Sequence, residues 1–82
     1  MKTKLYEEII GWYGTVAIIL AYALVSFNVF TGENIYYQLL NGTGGLGIVY
    51  ISFKKKAYQP GVLNIIWSVI AAITIIRILI KA

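Results

Sequence analysis

The sequence predicts an all-α integral membrane protein made of three transmembrane helices, and three observations carry that prediction. Hydrophobic residues fill 60% of the 82 positions, against roughly half in soluble domains, and charged residues fall to 12% against about a quarter. The charges gather at Lys2, Lys4, Glu7 and Glu8, at Lys54 to Lys56, and at Arg77 with Lys81, with Glu33 alone in the first long gap. Between the clusters run apolar stretches of the ~20 residues that a helix needs to cross a hydrocarbon core. A soluble chain this short usually needs disulfides or metal to hold a core, and this one has no Cys and no His.

The first helix is expected over about 9–30. Lys2 and Lys4 ahead of an apolar run also suit a signal peptide, but the run from Ile9 to Phe30 is too long for one and lacks a small-x-small cleavage site. Thr31, Gly32, Glu33 and Asn34 then form a tight turn. The second helix is expected over about 35–53, closed by Lys54 to Lys56. Pro60 suits the first turn of a helix and not its interior, so the third helix starts near it and runs over about 61–80. Arg77 lies one turn from its end, where a long side chain reaches the headgroups.

Orientation follows from the basic residues. The N-terminus and loop 54–60 together hold five and the first loop and C-terminus two, which places the former in the cytoplasm and the C-terminus outside. A multi-pass protein of the cell inner membrane is the expectation. The net charge of +4 flanks the spans and does not stripe one face, so topology explains it better than nucleic acid does.

The chemistry available is narrow. With no His, Cys or Asp, and no acidic residue inside an expected span, a metal site, a thiol nucleophile, a catalytic triad or a carboxylate proton relay lacks material. Neither an enzyme nor a cofactor is expected.

Function, if carried inside the spans, falls to small and uncharged polar residues. Gly42, Gly44, Gly45 and Gly47 put four glycines in six residues of the second helix. Glycine costs about 1 kcal/mol relative to Ala in a water-exposed helix, so this density needs a reason, and close helix packing or a hinge supplies one. The wheel puts Gly44 and Gly45 on the face of Tyr37 and Asn41, with Thr43 and Gly47 roughly opposite, which implies two packed sides. Gly14, Ala17 and Ala21 form a matching narrow sector on the first helix, and Asn64, Ser68 and Ala71 a stripe on the third. Tyr22, Asn41 and Thr74 come to similar depth and suggest one polar layer. The other aromatics sit near span ends, as interfacial belts do. Tyr22, Asn41, Asn64, Trp67 and Ser68 are the candidate substrate-binding residues, with interhelical hydrogen bonding as the plain alternative.

Gly11-x-x-Gly14, Ala21-Tyr22, Tyr37-Gln38-Leu39-Leu40-Asn41-Gly42-x-Gly44 and Pro60-x-x-x-Asn64-x-x-Trp67 together resemble an uncharacterised family of small bacterial three-helix inner-membrane proteins. More distantly, size and layout are similar to the SemiSWEET half-transporters of the MtN3/PQ-loop class, homodimers with a central sugar pocket. That resemblance implies a SemiSWEET-like three-helix bundle, with Asn64 in the place of the pocket Asn and Trp67 a looser match to the pocket Trp. The Pro-Gln pair of that class is missing, and Leu24, Val25, Ser26 and Phe27 stand instead. The reading is a homodimeric, transporter-like protein for a small neutral solute. A non-transporting subunit whose Gly-rich helix docks on a larger membrane partner is the alternative.

Overall fold

The computed structural model describes residues 3–81 and contains three helices in chain order, α1 (Leu5–Ser26), α2 (Ile35–Lys54) and α3 (Tyr58–Lys81). Lys2, counted above among the basic residues, lies outside the described residues.

Each boundary has a local cause. α1 starts four residues ahead of expectation because the Glu7 side chain turns back to accept the Lys4 N–H at 2.9 Å, one half of a capping box, and because Glu7 and Glu8 suit the positive end of a helix dipole. It also stops four residues early. Asn28 takes φ 63°, its N–H donates to Val25 O, and the Val29 N–H donates to Leu24 O, which is a Schellman closure. α2 opens on Asn34, whose Oδ1 accepts from the backbone N–H groups of Tyr36 and Tyr37. It closes by the same device as α1, with Lys56 at φ 59° and Ala57 donating to Ser52 O. α3 begins at Tyr58, so Pro60 lies inside the first turn, where its missing N–H removes no helical hydrogen bond.

α2 packs against both α1 and α3, and among the described residues α1 and α3 do not pack on one another. The α1 seam is built from absent side chains. A Cβ on Gly14 would lie 2.5 Å from Gly44 O, one on Gly47 would lie 2.8 Å from Ile10 O, and Ala17 and Ala21 are buried beside them. On the other side, Gly45 leaves room for the Ser68 hydroxyl, Gly42 faces Ala71, and Gly61 accommodates the Phe53 ring. Gly44 and Gly45 therefore serve different neighbours and do not share one face. Adjacent residues are about 100° apart on a helix, which separates the pair between two partners.

This packing leaves the large apolar side chains outside. The buried hydrophobic residues are Ala17, Ala21, Ile51 and Ala71, whereas Trp12, Val16, Ile19, Ile66, Ile70 and Ile73 are exposed. α1 and α3 are long and apolar enough to cross a membrane, and little of either is buried within the chain.

Replacing Gly14 with Ala is expected to destabilise the fold by about 2 kcal/mol, since backbone atoms of α2 occupy the space and cannot give way as a side chain would. Gly32→Ala, where a Cβ meets nothing, is the matched control. Thermal unfolding in detergent decides it, and equal midpoints would refute the seam. Lys56→Gly is expected to raise stability by about 1 kcal/mol by relieving a side chain from left-handed backbone. A lowered midpoint would mean that the Lys56 side chain matters more than its conformation.

Candidate functional site

The polar side chains of α2 and α3 meet because glycine and serine let the two helices approach. Trp67 Nε1 donates to Asn41 Oδ1 at 2.7 Å. Indole is a donor only, so this contact fixes which way the Asn41 amide points. At the adjacent residue of each helix, Ser68 Oγ donates to Gly42 O at 3.2 Å. Asn64 turns its Nδ2 back to Pro60 O at 2.9 Å, and its Oδ1 faces Gly45. Three of the candidate residues, Asn41, Trp67 and Ser68, thus form the α2–α3 contact, and Asn64 borders it.

Tyr22 does not join them. It stands 73% exposed on α1, a helix that does not touch α3. Thr74 is spent locally, donating to Ile70 O at 2.9 Å. The expected polar layer of Tyr22, Asn41 and Thr74 is therefore absent, because a shared depth in a bundle does not bring faces together when two of its helices are out of contact.

Since α1 and α3 stay apart, a cleft of about 380 Å³ opens between them. Its walls are Thr15, Ile18 and Ile19 on α1 and Leu63, Asn64 and Trp67 on α3, with Ile48 of α2 as its floor. The lining is chiefly apolar and holds no charge. Trp67 presents its ring here while its N–H is held by Asn41, and the Thr15 hydroxyl donates to Gly11 O, leaving its lone pairs free. Clefts of this size and character suit small organic ligands.

The other face of the α1–α2 seam is closed by a hydroxyl pair, Tyr13 and Thr43, at 2.7 Å. Thr43 gives its proton to Leu39 O, so Tyr13 is the donor between them.

A second polar group lies at the start of α1. Glu7 is 4% exposed and accepts from Lys4 N–H and, at 3.0 Å, from the Tyr50 hydroxyl, while Lys54 Nζ sits 3.1 Å away. Glu8 pairs with Lys55 at 3.0 Å and accepts from the Thr3 hydroxyl. Both carboxylates lie in the first turn of α1, ahead of the apolar run that begins at Ile9, because the capped helix starts earlier than expected. Sequence reasoning passed over Glu7, although Glu7, Gly11, Gly14 and Ala21 follow one stripe at helical spacing. At the opposite end Glu33 meets Arg77 at 2.8 Å, joining the α1–α2 turn to α3.

A family model matches residues 7–82, a span that includes both the cleft and the Glu7 and Glu8 pairs. The chain belongs to that family. It is a small and uncharacterised one, so membership brings a shared pattern and no activity. No curated protein and no solved structure matches the chain.

The Trp67 and Asn41 pair is expected to couple by about 1 kcal/mol in a double-mutant cycle of Asn41→Ala and Trp67→Phe, read as unfolding in detergent or lipid. Additive single effects would mean that the two side chains are neighbours without being partners.

Proposed function

We propose that this is a multi-pass protein of the cell inner membrane that crosses the bilayer three times. α2 has 20 residues, about 30 Å of helix, which matches the hydrocarbon thickness as α1 and α3 do. It is less apolar than its neighbours because glycine and polar residues meet them on two sides, leaving fewer positions for lipid. The outward-facing apolar residues of α1 and α3 support the bilayer as solvent. Positive-inside bias, which counts Lys and Arg and little weighs Glu, puts the N-terminus and the turn after α2 in the cytoplasm and the C-terminus outside.

Within that frame the chain acts as a homodimeric, transporter-like protein for a small solute of no net charge. The cleft between α1 and α3 carries this reading, with Asn64 and Trp67 on one wall and Thr15 on the other. One copy leaves the cleft open at the side. A second copy related by a two-fold axis would cover it and contribute an equivalent set of residues. A sugar would ask for hydrogen bonds on most of its faces, and few polar atoms line this cleft, so the SemiSWEET-like sugar reading gives way to a solute with a large apolar part. The docking-subunit reading has less support. It needs the glycines of α2 free for a partner, and Gly44 and Gly47 already face α1 while Gly42 and Gly45 face α3.

Proteoliposomes holding only this chain are expected to take up a labelled neutral amphiphile. Ile48→Phe, which fills the cleft floor, should cut that uptake by about tenfold while leaving bilayer crosslinking to the dimer intact. Strictly monomeric protein, or uptake indifferent to the filled cleft, would sink the proposal.

A further inference from the structure

A second depression adjoins the cleft at Thr15. It is smaller, about 230 Å³, and is bounded by Glu8, Gly11, Trp12, Ile51 and Lys55. On α1 the groove follows Glu8, Gly11, Thr15 and Ile18, and on α2 it follows Lys55, Ile51 and Ile48, both at helical spacing. From Glu8 to Ile18 it runs for about 15 Å along α1. One end is an ion pair and the other is apolar.

We infer that this groove seats one zwitterionic phospholipid, with its headgroup at Glu8 and Lys55 and one acyl chain laid past Thr15 into the cleft beside Trp67. The inference rests on the proposed cleft and names the class of its occupant. Charge complementarity selects the headgroup. Lys55 is about half exposed and Glu8, which also accepts from the Thr3 hydroxyl, about a third, so each keeps an exposed side that a further charged group can approach. A phosphoethanolamine offers a phosphate oxygen to the Lys55 ammonium and its own ammonium to the Glu8 carboxylate. An anionic headgroup would satisfy Lys55 and be repelled by Glu8. The polarity along the groove also agrees with the bilayer, since the ion pair stands at the start of α1 and the end of α2, near the proposed cytoplasmic surface, and the apolar end lies deeper. A chain seated there would cover the Trp67 ring, which is 43% exposed.

The two tryptophans allow a direct test. Full-length Trp12→Phe protein leaves Trp67 as the sole indole and is reconstituted into phosphatidylglycerol vesicles. These are doped with phosphatidylethanolamine or phosphatidylglycerol bearing bromine at the middle of the acyl chains. Brominated phosphatidylethanolamine is expected to quench Trp67 at about fivefold lower mole fraction than brominated phosphatidylglycerol. Glu8→Gln should reverse or erase that preference by freeing Lys55 for the anion, and Lys55→Gln should weaken quenching by both lipids. A loss of structure would move both lipids equally in both variants, and circular dichroism checks the helices. Equal quenching by the two lipids, a preference for the anionic one, or a preference that survives Glu8→Gln overturns the inference. Crosslinked dimers that take up a neutral solute without lipid preference would leave the proposed function standing and remove the phospholipid. Lipid preference in a chain that never crosslinks would remove the dimer and keep the phospholipid.

Discussion

The whole arrangement depends on how close α2 can come to its neighbours. Where a Cβ on Gly14 would press on Gly44 O, there is no room for a larger residue on either helix, and van der Waals contact between backbones replaces interdigitated side chains. A helix pair held this way needs few large residues at its seam, and Ile51, buried against Gly11, is the main one. The bulky residues are left to the perimeter, where water would penalise them and lipid does not. The same close approach brings Ser68 within reach of Gly42 O and Trp67 within reach of Asn41, so the polar contacts follow from the small ones.

The ends of the bundle work differently from its middle. Glu7 and Glu8 tie the start of α1 to Lys54 and Lys55 at the close of α2, and Glu33 ties the opposite turn to Arg77 on α3. Each neighbour of α2 is thereby held at one charged end as well as along its small-residue seam. Glu7 is buried and also accepts from Lys4 N–H and Tyr50, whereas the exposed pairs of Glu8 and Glu33 add little stability singly. Their effect is on register, because a helix slid by one turn would lose the pair and the glycine contact together.

Much of this was legible in the sequence. The number of helices, the turn at Thr31 to Asn34 and the stripes Gly14, Ala17, Ala21 and Ser68, Ala71 follow from hydrophobic runs, turn formers and helical spacing. The ends of α1 and the left-handed closure after α2 were not. Asn28 gives a faint signal for a left-handed closure and Lys56 gives almost none, since what places a lysine at φ 59° is the need of the last α2 carbonyls for donors. The early start of α1 hid inside a charged segment, where Glu7 reads as a flank until its stripe with Gly11 and Gly14 is traced. Nor does a helical wheel say which helices touch. Tyr22 and Asn64 looked equally inward, and the lack of contact between α1 and α3 sends one to the surface and the other to a cleft.

That cleft follows from an angle. Taking Asn41 as the origin and about 100° per residue, Gly44 and Gly47 centre near −90° and point to α1, while Gly45 and Gly42 centre near +70° and Asn41 itself turns toward α3. The two neighbours are then separated by about 140° to 160° around α2, not by a half turn. Ile48 falls near −20°, inside the narrower sector, and it is the floor of the cleft. Two diametrically opposed seams would give a flat layer of three helices with equal faces. The smaller angle folds the layer, so Trp67 and Thr15 face a common space on one side only. A glycine cluster that looks like redundancy along the chain thus sets both the closeness of the helices and the side on which the α1–α3 cleft opens.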